Sequence, residues 1–85
     1  MKSEKKKKTV TIIINGRKHE VEKKKLTFEE IVVLSFGEYK PNDNTAYTVT
    51  YSKGIDKKPK GQLVAGDNVM IKEGMIFNVS RTNKS

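Results

Sequence analysis

TVTIIINGRKHEVE, residues Thr9–Glu22, decides how the rest of the chain is read. The run Thr9-Val10-Thr11-Ile12-Ile13-Ile14 concentrates β-branched side chains, whose stiff χ1 favours extended backbone. Asn15-Gly16 follows, and then a second alternating run, Arg17–Glu22. Asn-Gly between two such runs predicts a tight hairpin, because a type I′ turn holds both central residues at positive φ. Period-two alternation puts Val10, Ile12 and Ile14 on the core face and Thr9, Thr11 and Ile13 on the other. In the second strand Val21 faces inward with His19 on its side, while Lys18, Glu20 and Glu22 face outward. With no second histidine and no cysteine, His19 reads as a structural residue rather than a metal ligand.

Beyond the basic connection Lys23–Lys25 the sequence predicts a helix over Phe28–Phe36. Thr27 and Glu30 have the spacing of a capping box, and Leu26 and Ile31 stand at the hydrophobic staple positions. Glu29 and Glu30 put negative charge at the positive end of the helix dipole. Phe28, Ile31, Val32, Ser35 and Phe36 share one stripe expected to face the sheet, with Leu34 on its flank, and Gly37 supplies the stop.

The turn-rich segment Glu38–Thr45 leads to an expected strand at Ala46–Ser52, then a basic turn at Lys53–Lys60. Gly61–Asp67 reads as an irregular turn burying Leu63 or Val64. Short strands are expected at Asn68–Ile71 and at Met75–Val79, the latter with Met75, Phe77 and Val79 inward. The expected organisation is a disordered basic leader over residues 1–8, one domain over residues 9–80 and a flexible tail over residues 81–85.

Length and charge bound the function. A chain of 85 residues holds one small domain with a single modest core, and no second domain for a substrate. The net charge is +8, and the five lysines and one glutamate of residues 1–8 supply half of it. Such a leader reads first as a solvated segment. Nucleic acid is disfavoured because aromatic residues do not interleave with the lysine runs as base-stacking platforms would. The absence of cysteine excludes disulfides and thiolate chemistry and fits a reducing compartment, so a cytoplasmic location is expected. No apolar run approaches the roughly 20 residues of a membrane span, and the segment after the N-terminal lysines lacks the cleavage pattern of a signal peptide.

The inventory for catalysis is thin. One histidine sits on a strand, and the serines have no base near them in sequence. Phosphate-loop, zinc-protease and calcium-loop motifs are absent, and Asp43, Asp56 and Asp67 stand beside turn residues, where aspartate ordinarily bonds backbone. These residues point to a non-enzyme that works through its surface, with no cofactor and no metal.

Strand, hairpin, strand, capped helix, strand, irregular turn and two further strands are in the order of an α+β β-grasp domain, one helix packed across a four- to five-stranded mixed sheet. The chain resembles the multiubiquitin-type domain, a prokaryotic ubiquitin-like family encoded beside E1-like and E2-like genes. The resemblance rests on Ile14-Asn15-Gly16-Arg17, Leu26–Val32, Phe36-Gly37, Tyr47–Tyr51, the Gly61 to Gly66 turn and Lys72–Val79. It implies a protein modifier, or a ubiquitin-like binding module, handled as a monomer by an E1-like activating enzyme and an E2-like protein. Conjugating relatives end in a flexible Gly-Gly tail. Here the corresponding conjugation tail is Ser80, Arg81, Thr82, Asn83, Lys84 and Ser85, without glycine.

The resemblance also implies a partner-binding face on the side of the sheet away from the helix. The outward positions there are Ile13, Thr50, Ile76 and Asn78, with Ser80 beside them. Ile13 and Ile76 read equally as a small hot spot or as two unconnected exposed isoleucines. Three functions stay open at this point: a modifier activated through its C-terminus, a non-conjugated interaction domain, and electrostatic nucleic-acid binding through Lys5–Lys8, Lys23–Lys25 and Lys57–Lys60.

Overall fold

A computed structural model describes residues 8–42 and 44–83. The hairpin forms as expected: β1 (Thr9–Ile14) pairs antiparallel with β2 (Arg17–Glu22), with Ile14 opposite Arg17. Asn15 and Gly16 both have positive φ, 52° and 82°, as a type I′ turn requires. Val10, Ile12 and Ile14 are buried, and Ile13 between them faces the other side.

The helix α1 spans Phe28–Phe36, bounded as the sequence predicts. The Thr27 hydroxyl accepts the Glu30 N–H at 3.0 Å, and the Glu30 carboxylate accepts the Thr27 N–H at 2.9 Å. Gly37, at φ 86°, closes the helix by donating its N–H to the Val33 carbonyl at 2.7 Å. Phe28, Ile31 and Val32 are buried against the sheet. The expected stripe holds only that far, since Phe36 is 38% exposed. The last turn of the helix overhangs the end of β1, so the Phe36 ring lies against Tyr47, centroids 6.0 Å apart, instead of entering the core.

The remaining strands complete a mixed sheet. β4 (Thr45–Ser52), β5 (Gly61–Leu63) and β7 (Ile76–Asn83) join the hairpin in the order β2-β1-β7-β4-β5, with β1 and β7 parallel and the other pairs antiparallel. A parallel pair at the centre requires a crossover, and α1 with the following elements provides it. This α+β arrangement, one helix across a five-stranded mixed sheet, is the β-grasp fold. Phe77, Ile12, Ile14, Ile31, Ile71, Met75, Val32 and Val49 are fully buried between helix and sheet. Each such side chain contributes roughly 1.5–3 kcal/mol by leaving water.

Three segments depart from expectation. Lys25–Thr27 is not only a connection but a short strand, β3, paired antiparallel with β6 (Asn68–Met70) as a separate two-stranded sheet. Gly61–Leu63 is a strand rather than part of a turn; within it Leu63 is buried, while Val64 beyond it is 57% exposed. Finally β7 does not end near Val79. It continues to Asn83, in register with β4 as far as Thr45 opposite Asn83. The boundary expected at residue 80 and the flexible tail at residues 81–85 are therefore corrected for Arg81–Asn83. Among these three, Thr82, opposite Ala46, turns its backbone groups to β4, while those of Arg81 and Asn83 face the other way, as those of Val79 do; residues 84–85 lie outside the described residues. The expected leader lies outside the described residues as well, except Lys8, whose carbonyl accepts the Lys23 N–H at 2.8 Å.

Candidate interaction face and C-terminal strand

The outer face of the sheet is set by strand parity and register. Ile13 stands between buried Ile12 and Ile14, and Ile76 between buried Met75 and Phe77, so both point away from the helix. The parallel register makes them direct partners, Ile13 opposite Ile76. On the other side of β7, Ile76 lies opposite Ser52, Asn78 opposite Thr50 and Ser80 opposite Thr48. The positions picked out by sequence thus form one continuous surface rather than scattered residues. Its two isoleucines are neighbours, each half-buried, with Lys18 opposite Ile13 on one side and hydroxyl and amide side chains on the other, which Gln62 extends beside Thr50.

The C-terminal strand leaves this face in a defined way. Asn15 adds a side-chain rung to the β1–β7 ladder: its Oδ1 accepts the Val79 N–H at 2.8 Å and its Nδ2 donates to the Val79 carbonyl at 2.9 Å. The Asn15 N–H also donates to the Phe77 carbonyl at 3.0 Å, and Nδ2 reaches Ser35 Oγ on the helix at 3.1 Å. A turn residue therefore ties hairpin, helix end and last strand together. Alternation along β7 then carries Arg81 to the helix side, where its guanidinium lies 5.5 Å from the centre of the Phe36 ring. That ring belongs to an aromatic group in which Tyr39 and Tyr47 are 5.2 Å apart and Phe28 meets Tyr39 edge-on at 5.8 Å. Sequence reading missed both anchors. Positive φ at Asn15 is legible from Asn-Gly, but its partner lies 64 residues away; Arg81 simply continues the parity of Met75, Phe77 and Val79.

Little here resembles a catalytic centre. His19 and Ser35 line the same shallow hollow, but Ser35 Oγ accepts from Asn15, and among the described residues no hydrogen bond joins it to His19. No group of three or more metal-ligating side chains occurs among the described residues. The Glu30 carboxyl is held below its ordinary value by the Thr27 N–H, with Lys24 adding attraction. That is a capping role. A hollow of about 480 Å³ between β2 and α1 is lined by apolar Val21, Leu26, Val33 and Leu34 together with Glu22, Lys24, Glu29 and Glu30, of which Glu30 is engaged in the helix cap and lies 3.5 Å from Lys24. No helix among the described residues is long and apolar enough to cross a membrane.

Comparison with known proteins agrees with the geometry. Neither a curated protein nor a solved structure gave a match. The model of one family, multiubiquitin, matches residues 10–83, from the first strand to the last residue of β7. The match covers hairpin, helix and every strand of the sheet, and the chain belongs to the multiubiquitin family, the ubiquitin-like domains that its β-grasp sheet and single helix resemble.

Proposed function

We propose that this domain is a protein modifier of a prokaryotic ubiquitin-like conjugation system, activated through its C-terminal end by an E1-like enzyme and passed to an E2-like protein. The observation that carries the reading is the family match across the whole β-grasp domain, including the strand that leads to the C-terminal segment. In this role the chain is the substrate of the chemistry and not its catalyst. Its terminal carboxylate attacks the α-phosphorus of ATP, pyrophosphate leaves, and an acyl-adenylate forms. A thiol of the activating enzyme then displaces AMP to give a thioester. Use of ATP places the reaction in the cytoplasm, and the modifier enters it as a monomer.

For this to happen, Ser80–Asn83 must separate from Thr48–Thr45 of β4 so that the chain end can thread into an adenylation site. Their side chains are exposed and polar, so little apolar burial opposes the separation. Asn15 marks its limit, because Val79 stays bonded to the hairpin turn. Ile13 and Ile76, with Thr50 and Asn78, form the face that an activating or transferring partner would grip.

A second reading is favoured by one specific observation. Ser80–Asn83 are paired in a strand, and a domain that is never conjugated would use the Ile13–Ile76 face as a binding surface only. Incubating the protein with its E1-like partner and ATP, followed by intact mass measurement, separates the two. The modifier reading expects an adenylate or a thioester. With an activating enzyme shown to be active on ATP, absence of any adduct contradicts that reading and leaves the binding domain.

A further inference from the structure

The end of the domain opposite the C-terminal strand gathers lysines from three separate segments. Thr9 pairs with Glu22, and the Lys8 carbonyl with the Lys23 N–H, so the β2–β3 connection starts at the open end of the hairpin. The β4–β5 loop leaves from Ser52, beside the start of β7, and is held closed by Gly54 N–H to the Pro59 carbonyl at 2.7 Å and Lys58 N–H to the Ile55 carbonyl at 3.0 Å. Two neighbouring hollows lie there. One, of about 370 Å³, includes Lys25, Ile55, Lys58 and Met70 in its lining; the other, of about 390 Å³, includes Lys23, Ile55, Met70 and Lys72. Ile55 and Met70 therefore form a shared apolar saddle with ammonium groups on both sides.

The local carboxylates do not cancel this charge. Asp67, whose carboxylate accepts the Val64 N–H at 3.0 Å, stands in the first hollow against both Lys25 and Lys58, so the lining there stays net positive. Asp56 lines the second, fully exposed, 4.0 Å from Lys72, a separation at which a solvated pair is worth little. Among the described residues, Lys23, Lys25 and Lys58 have no carboxylate partner within ion-pair distance. Met70 is 36% exposed, an adaptable thioether well suited to an apolar side chain of variable shape. The lysine stems can lie along the same apolar ground while their heads stay in water.

We propose that Ile55 and Met70, flanked by Lys23, Lys25, Lys58 and Lys72, form a docking surface for a short acidic segment of a partner protein carrying an apolar side chain among its aspartates and glutamates. Charge complementarity sets the sign of the partner, and the apolar saddle sets its mixed character. A nucleic acid fits less well. Its phosphates would satisfy the lysines, but Ile55 and Met70 offer no stacking platform: Tyr51, the aromatic residue lining these hollows, is only 4% exposed, and Phe36, Tyr39 and Tyr47 sit with Arg81 at the other end. The surface is separate from the C-terminal strand, so it stands whether or not the chain is conjugated.

The test is an amide chemical-shift titration of the isotope-labelled full chain with a synthetic peptide in which one leucine is flanked on both sides by aspartate and glutamate. The expected result is saturable shifts centred on Ile55 and Met70. Binding should weaken about tenfold in Lys58→Glu and in Met70→Ser, both with unchanged spectra elsewhere as the check on folding. Replacing the peptide's leucine by serine, or its acidic residues by their amides, should abolish the shifts. The proposal is overturned if the acidic peptide produces no shifts, if the amide or serine peptide binds as well, or if a single-stranded oligonucleotide of equal charge binds the same residues more tightly.

Discussion

The amide of Asn15 is bonded to both backbone groups of Val79, accepting its N–H at 2.8 Å and donating to its carbonyl at 2.9 Å. Asn15 also holds a left-handed φ of 52°, which asparagine tolerates better than most residues. Asn15→Ala removes both bonds and adds backbone strain, and should destabilise the domain by about 2–3 kcal/mol in urea unfolding. Asn15→Gly loses the bonds but relaxes the strain, and should cost about 1 kcal/mol less. Amide exchange at Val79 should accelerate in both. Equal stability of the alanine variant and the parent would show that the side-chain rung does not hold β7.

The capping box gives a pH-dependent contribution. Thr27→Ala should cost about 1 kcal/mol, since it leaves the Glu30 N–H without its partner. Glu30 titrates below its ordinary value of 4.5 in the folded chain because it accepts the Thr27 N–H, so folding favours its ionised form. Its contribution is present above that ordinary value and lost as pH falls through the lowered one. The stability gap between the parent and Glu30→Gln should therefore be open at neutral pH and close on acidification. Because the side chain is 45% exposed, the gap is small and shrinks further in salt.

Gly61 sits under a buried ring. A Cβ at this position would lie 2.9 Å from the Tyr51 hydroxyl and 3.1 and 3.3 Å from two ring carbons. Gly61→Ala should cost about 1–3 kcal/mol by displacing that ring. Tyr51→Phe removes the closest of the three approaches, so the double variant should be more stable than the sum of the singles by at least about 0.5 kcal/mol. Additive losses in a double-mutant cycle would mean that the ring moves freely.

Arg81 anchors the end of β7 through the Phe36 ring. Arg81→Ala should lower global stability by only about 0.5–1 kcal/mol. The larger change should be local, with faster hydrogen exchange at Ser80 and Thr82, whose N–H groups face β4, while Val49 and Phe77 stay protected. Unchanged exchange at the end of the strand would place the anchor in the β4 pairing alone.

What the sequence made legible follows from how local each signal is. The Asn15-Gly16 turn, the Thr27–Glu30 box and the Gly37 stop are decided within a few residues, and they stand where expected. Face assignments held wherever alternation was backed by core burial, at Val10, Ile12, Ile14, Met75, Phe77 and Val79. The pairing of Lys25–Thr27 with Asn68–Met70 was hidden because three residues are too few to show a period. Ser80–Asn83 looked like a tail because a strand that lies beyond the core needs no apolar alternation; only its register against β4 reveals it. The contiguity of Ile13 and Ile76 depended on the parallel register of β1 and β7, and the Asn15–Val79 contact spans 64 residues. Long-range register leaves little trace in any single stretch of sequence.

The modifier role turns on the chemical fate of the chain's end. Its most direct test is mass spectrometry of the protein recovered from the cells that make it, read at the mature C-terminus. The modifier reading predicts a population joined through its terminal carbonyl to an amine, hydroxyl or thiol of another protein, lost when the E1-like enzyme is inactivated. Recovery of only free chain, from cells in which that enzyme is present and active, would contradict it.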